Sequence, residues 1–128
     1  DRLENLYPIR SMQEAHLTVA AGSDSPVIPS DPIKSIYAAV FRKTAGGHLL
    51  NPLEAVSVTS ALSMYTTAAA KVTGLAPVLG SLSPGKYADL VVLSGDPWTI
   101  TEDDWERLTV RLTIINGEII WGGHGSNY

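Results

Sequence analysis

Cysteine is absent from the 128 residues of this chain. The absence excludes disulfides, zinc bound through thiolates and a thiol nucleophile. It is compatible with a reducing compartment, and we therefore expect a cytoplasmic protein. Long apolar runs are missing too, because none reaches the roughly 20 residues that a membrane-spanning helix requires. We expect no membrane partner.

Positive charge is scarce in this sequence. The 9 Lys and Arg residues are outnumbered by 13 Asp and Glu residues, which gives a net charge of -4. No basic run occurs, and this argues against nucleic acid as the main partner. The 45% hydrophobic and 17% charged residues are typical of a globular protein. A chain of this length can fold as one domain with a modest core.

Histidine occurs only as His16, His48 and His124. These residues form neither a His-x-His pair nor an i, i+4 pair on one helix, which are common spacings of metal ligands. A catalytic metal needs several imidazole or carboxylate ligands. We therefore interpret all three histidines as surface or loop residues, and we do not expect the chain alone to hold a catalytic metal.

The first part of the chain has mainly helical periodicity. The spacing of its apolar residues predicts helices over residues 3–15, 32–43, 51–58 and 59–71. Asp31 is expected to cap the second helix, and Glu54 could complete a capping box at the start of the third. The short apolar run 17–21 predicts a buried strand, which a loop follows.

The last part of the chain has the pattern of strands and tight turns. Strands are predicted over residues 88–93, 110–115 and 118–121, and a short helix over residues 101–104. Asn116-Gly117 between the last two strands is a strong hairpin signal. Asp89, at the start of the first strand, is interpreted as an acceptor of backbone hydrogen bonds.

Asp24 is a candidate site residue because of its position. It lies on the loop after the predicted strand 17–21. In parallel barrels, the loops at the C-terminal ends of the strands carry the chemistry. The alternative is that Asp24 is an ordinary turn residue, since Ser23, Ser25 and Pro26 around it are common in turns.

Arg42 and the three tryptophans have structural interpretations. Arg42 ends a predicted helix, where a cation is stabilising without any substrate. Trp98, Trp105 and Trp121 are predicted to be core or packing residues rather than to form a ligand cage. No residue is assigned to substrate binding.

Several motifs together resemble a known family. They are Ser23-Asp24-x-Pro26, Asn51-Pro52-x-Glu54-Ala55-Val56, Tyr65-Thr66-x-x-Ala69, the segment Gly-Ser-Leu-Ser-Pro-Gly-Lys-Tyr-Ala-Asp-Leu-Val-Val-Leu over residues 80–93, and the final hairpin. In this order they resemble the C-terminal portion of the metal-dependent amidohydrolase superfamily. Within it, the chain is similar to amidohydrolase family 3, the subgroup that includes N-substituted formamide deformylases.

The resemblance implies a fold of α/β plus β class. Residues 1–76 would form the last strand and helices of a distorted (β/α)₈ barrel, and residues 77–128 the C-terminal strands of a small composite β-sandwich. A complete barrel takes about 250 residues. The chain is therefore expected to be the C-terminal fragment of a longer enzyme.

The resemblance also implies a function. The parent would hydrolyse carbon–nitrogen bonds of small-molecule amides or formamides with a divalent metal, most simply zinc, and Asp24 would bind metal or accept a proton. The family's His-x-His and later histidines are absent here, so the isolated chain is expected to be inactive. Its expected partner is the remainder of the parent chain or a second copy. The alternative is a non-catalytic module that associates through open strand edges.

Overall fold

The structure, a computed structural model, describes residues 5–122. In these residues, helices occupy the first part of the chain and a three-stranded sheet occupies the last. The helices are α1 (Ile9–Glu14), α2 (Pro32–Phe41), a 3₁₀ turn (Pro52–Glu54), α3 (Val58–Tyr65), α4 (Thr67–Val72) and α5 (Glu102–Trp105). The strands are β1 (Leu90–Leu93), β2 (Val110–Ile115) and β3 (Glu118–Gly122).

The start of α2 follows from two adjacent residues. Asp31 Oδ1 accepts hydrogen bonds from the backbone N–H groups of Ile33 and Lys34 at 3.1 and 3.4 Å. Pro32, which has no N–H to satisfy, occupies the first helical position. The predicted cap is confirmed. The helix ends earlier than predicted, because Arg42 adopts a left-handed conformation with φ 56°.

Three predicted helices differ from the observed ones. Helix α1 begins only after Pro8, since Tyr7 before it has a positive φ of 51°. The 3₁₀ turn is three residues long and its Asn51 makes no capping bond, so the capping box is wrong. The predicted helix 59–71 is broken at Thr66, whose hydroxyl donates back to the carbonyl of Leu62 at 2.9 Å. Such back-bonding often bends helices.

The predicted strand at residues 17–21 is wrong for this chain. The segment has no sheet partner among the described residues. Two backbone hydrogen bonds tie it to the helices, from Leu17 N–H to the carbonyl of Met12 and from Ala21 N–H to the carbonyl of Met64, both at 3.1 Å. A parallel strand needs neighbouring strands on its edges, and the part of the chain that the structure describes supplies none here.

The sheet is antiparallel, in the order β1-β2-β3. Asn116 and Gly117 have φ values of 51° and 83°, as a two-residue type I′ turn requires, and the predicted hairpin is confirmed. Strand β1 is shorter than predicted. The two residues before it bind the tip of the hairpin instead. The carbonyl of Ala88 accepts from Gly117 N–H, and the carboxylate of Asp89 accepts from Asn116 N–H.

The core lies among the helices, not under the sheet. Its buried side chains are Ile36, Ala39, Val56, Ala61, Met64, Trp105 and Leu108. The Trp105 indole packs edge-on against Phe41, with ring centroids 5.6 Å apart, and donates to the carbonyl of Ile33. Trp98 and Trp121 are 61% and 57% exposed, so only Trp105 meets the prediction of a core residue.

Candidate functional site

Asp24 lies on an exposed loop between the segment 17–21 and α2. Its φ of 56° is left-handed, and its carbonyl accepts a bond from Val27 N–H at 3.0 Å. The hydroxyl of Ser23 accepts from Ser25 N–H at 3.2 Å. The Asp24 carboxylate has no hydrogen-bond or ion-pair partner within residues 5–122. This carboxylate is therefore available to an outside ligand.

A metal centre does not form from this chain's described residues. No group of three or more His, Asp or Glu side chains in residues 5–122 could hold a metal ion. His16 and His48 are exposed, as predicted, and His124 lies outside the described residues. Catalytic zinc takes three protein ligands, whereas Asp24 would supply one. The residues present do not fit a catalytic metal without others, and no reaction step through a metal follows from them.

Most other acidic side chains are committed to internal contacts. Asp31 caps α2, Asp89 accepts from Asn116 N–H at 2.7 Å, and Asp96 accepts from Trp98 N–H at 2.9 Å. The predicted role of Asp89 is confirmed. These carboxylates fix turns and a helix start, and this gives each of them a structural role.

Arg42 is a buried cation, with 5% of its surface exposed. Its guanidinium donates to the carbonyls of Leu6, Tyr7 and Leu50 at 2.8, 3.4 and 3.1 Å. A buried charge is tolerated where its donors are satisfied in this way. The structural interpretation of Arg42 is therefore correct, although the group holds the chain before α1 rather than only its own helix end.

Glu54 is a buried anion, with 8% of its surface exposed. Its carboxylate accepts from Ser11 N–H at 3.0 Å and from the Ser11 hydroxyl in a short hydrogen bond. The Ser11 side chain is the main cause that lowers the pKa of Glu54, and Arg42 adds a smaller Coulombic contribution. The sequence analysis missed this contact, because Ser11 and Glu54 are 43 residues apart.

A second ionic contact joins α2 to α5. The carboxylate of Glu102 accepts from the hydroxyl of Tyr37 at 3.0 Å and forms an ion pair with Lys43. The Lys43 contact lowers the pKa of Glu102. The pKa of Tyr37 is raised mainly by desolvation and, to a smaller extent, by its hydrogen bond to Glu102. All three groups satisfy one another, so the cluster ties α5 to the helical core.

An open groove beside α3 and α4 contains no hydrolytic chemistry. It lies between α3 and α4 on one side and the segment before β1 on the other. The carboxylate that lines it is that of Asp89, which is already bonded to the hairpin tip. The groove is lined by apolar side chains and hydroxyl groups, and it is not an active site by itself.

The motif around residues 80–93 has a structural explanation. Lys86 Nζ donates to the carbonyl of Leu79 at 3.0 Å, and Tyr87 N–H donates to that of Val78 at 3.0 Å. With the contacts of Asp89, these bonds fold the segment between α4 and β1 back on itself. No helix in residues 5–122 is both long and apolar enough to cross a membrane.

Comparison with known proteins places this fold among hydrolases. A crystal structure of a metal-dependent hydrolase from Pyrococcus horikoshii OT3 superposes with a TM-score of 0.68. It is 28% identical in sequence, and the match covers 80% of this chain and 21% of that one.

The sequence comparisons are more specific. The profile of the amidohydrolase family matches residues 1–121, and the chain belongs to this family. It is 36% identical to the N-substituted formamide deformylase of Arthrobacter pascens and 32% identical to the amidohydrolase YtcJ of Bacillus subtilis. Each match covers 94% of this chain but only 22% and 23% of the relative. The predicted family is confirmed, and the chain spans less than a quarter of these relatives.

Proposed function

We propose that this chain is the C-terminal part of a metal-dependent hydrolase that acts on non-peptide carbon–nitrogen bonds, such as amides or formamides. The family match over residues 1–121 supports the hydrolase class. The relative named N-substituted formamide deformylase supports the substrate class. In the proposal, residues 1–76 belong to the barrel and residues 77–128 to the sandwich of the parent, which is a cytoplasmic protein.

Asp24 is the residue that the chain contributes to the catalytic site. The observation that carries this assignment is the position of Asp24 on the exposed loop that follows residues 17–21, within Ser23-Asp24-x-Pro26. Its carboxylate has no hydrogen-bond or ion-pair partner in residues 5–122, unlike those of Asp31, Glu54 and Asp89, although exposed Asp103 shares this state. A carboxylate in this state can accept a proton or bind a cation. The divalent metal, which we take to be zinc, would need further ligands outside the described residues. Bound there, it would activate water for hydrolysis.

The isolated chain is inactive in this proposal. One carboxylate provides neither the ligand set of a catalytic metal nor a closed substrate pocket. The residues that complete the site come from the remainder of the parent chain, which is the partner of this piece.

The sheet supports a second candidate, a non-catalytic module that associates through its strand edges. Strands β1 and β3 are the outer strands of the sheet, and all five residues of β3 are exposed. Ile119, Ile120 and Trp121 are 49%, 57% and 57% exposed. An uncovered edge of this kind recruits other strands, whether or not the assembled protein has enzymatic activity.

The test uses the complete polypeptide encoded by the reading frame that contains this sequence. Hydrolysis of an N-substituted formamide is measured with zinc added, for the wild type, Asp24→Asn and Asp103→Asn. Asp103 is the matched control, since it is an exposed Asp on α5. Loss of a general base or metal ligand is expected to lower kcat by on the order of 10²- to 10⁴-fold for Asp24→Asn only.

Two results would overturn the proposal. One is an Asp24→Asn variant that keeps the wild-type kcat. The other is a complete polypeptide that hydrolyses neither amides nor formamides in the presence of zinc, which would favour the non-catalytic module. Turnover by the 128-residue chain alone would contradict the need for the rest of the parent.

A further inference from the structure

Two buried charges bind the chain at and just before the start of α1, the helix that precedes the segment leading to Asp24. Arg42, at the C-terminal end of α2, donates to the carbonyls of Leu6 and Tyr7 just before α1. Glu54, in the 3₁₀ turn, accepts from the N–H and hydroxyl of Ser11 in the first turn of α1. We call Arg42, Glu54 and Ser11 the polar clasp.

The charges of the clasp are directed at backbone groups at a helix start. The Glu54 carboxylate takes up an N–H that the helix itself leaves unpaired, because Pro8 provides no capping side chain. A negative charge there is also favourable with respect to the helix dipole. Arg42 meanwhile fixes the direction in which the chain enters the helix. The clasp therefore helps to fix where α1 lies, together with Ile9, which packs against the core.

Few other contacts hold the chain between α1 and the Asp24 loop. The Ser60 hydroxyl donates to the side chain of Gln13 at 2.7 Å, and Ala21 N–H bonds to the Met64 carbonyl. Val19 and Ala21 add partly buried contacts with the core. Within the described residues, the segment 17–21 has no strand ladder to hold it. Its placement depends on α1 at one end and on these few contacts at the other.

We propose that Arg42 and Glu54 are positioning residues for Asp24. They hold α1, and through it the segment 17–21, so that the Asp24 carboxylate is presented in one place. This inference rests on the proposed function for its catalytic meaning, because Asp24 must be the reacting residue. The mechanical part, that the clasp orders residues 9–24, does not depend on the activity.

The first experiment measures backbone amide exchange in the full 128-residue chain. Ser11→Ala removes the hydroxyl donor, and Glu54→Ala removes the acceptor. In both variants we expect faster amide exchange over residues 9–24 and an unchanged exchange rate over β2 and β3. The increase should be larger in Glu54→Ala. The matched control is Leu108→Ala, which truncates a core side chain that lies near Gly95 and makes no hydrogen bond to α1. Unchanged exchange over residues 9–24 in both clasp variants would overturn the proposal.

The second experiment measures kcat and KM in the complete polypeptide. A displacement of about 1 Å at a reacting group can lower a rate on the order of 10²-fold, so we expect Glu54→Ala to lower kcat by roughly 10- to 100-fold with KM nearly unchanged. Glu54→Gln still accepts from Ser11 and should recover part of the rate. Leu108→Ala should lower the Tm without lowering kcat at a temperature where it is folded.

The outcomes separate this inference from the proposed function. If Asp24→Asn abolishes activity and Glu54→Ala folds with the wild-type kcat, the positioning role is wrong while the function stands. If the clasp variants exchange faster but Asp24→Asn is fully active, the proposed function fails, and the role toward catalysis fails with it. If Glu54→Ala does not fold, both measurements are made on Ser11→Ala instead. The same results then support or overturn the positioning role.

Discussion

Gly80, the first residue of the family-like motif, lies where a side chain has no room. A Cβ added to it would approach the Cβ of Ala70 to 2.6 Å and the carbonyl oxygen of Thr66 to 3.0 Å. Neither atom can rotate away, because one is a Cβ and the other belongs to the backbone. The φ of Gly80 is also +87°, a value that L-residues other than glycine rarely adopt. We predict that Gly80→Ala destabilises the chain strongly.

The magnitude combines a backbone cost and a steric cost. Placing alanine at a left-handed φ costs about 1–2 kcal/mol, and overpacking a tight contact costs about 1–3 kcal/mol. The free energy of unfolding should therefore fall by roughly 2–5 kcal/mol. Gly85→Ala is the matched control, since its φ is +89° with nothing within 4 Å of the added Cβ. It should lose only the backbone cost, about 1–2 kcal/mol.

Urea denaturation followed by circular dichroism measures both variants. A double variant, Gly80→Ala with Ala70→Gly, removes the atom at 2.6 Å and should recover part of the steric cost. The reasoning is refuted if Gly80→Ala and Gly85→Ala are equally destabilised. It is also refuted if the double variant shows no recovery beyond the sum of the single changes.

Three other expectations can be checked on the same chain. Folding lowers the pKa of Glu54 below its ordinary value of 4.5, so the carboxylate stabilises the folded state at pH values above 4.5. This contribution is lost as the pH falls through the lower pKa of the folded state. Urea titrations from pH 6 to about pH 3 should thus show a steeper loss for the wild type than for Glu54→Gln. Asp31→Ala should cost about 1 kcal/mol through the lost α2 cap, and a change below about 0.3 kcal/mol would contradict the role of Asp31. The open edges of β1 and β3 should make the isolated chain self-associate at micromolar concentration, whereas a monodisperse monomer in sedimentation would count against this.

Local rules made several elements predictable. The Asp31-Pro32 pair starts α2 because the cap and the fixed φ of proline act within one turn. Asn116-Gly117 forms the hairpin because its backbone preferences match the turn. Thr101 caps α5 by the same kind of local bond, from Asp104 N–H to its hydroxyl. Each of these signals lies within four residues of the structure that it determines.

Contacts between distant parts of the chain were not predictable in this way. Glu54 has the spacing of a capping box, but its carboxylate binds Ser11, which tertiary packing brings close. Residues 17–21 have the composition of a strand, but a ladder requires partner strands that the described residues do not supply. Local preference fails in both places, because the competing or missing partner lies far away in sequence.

The sequence by itself determined the family, the Asp31 cap of α2, the hairpin and Asp24 as the candidate site residue. These depend on residue identity and on short spacings, which the chain carries regardless of its fold. Only the tertiary structure decided that Arg42 is buried against the carbonyls of Leu6 and Tyr7 and that Glu54 is buried against α1. It also decided that Gly80 touches α4 and that both faces of β3 are open. The reason is physical: burial, close approach and uncovered edges are relations between segments, and they exist only once the segments have been brought together.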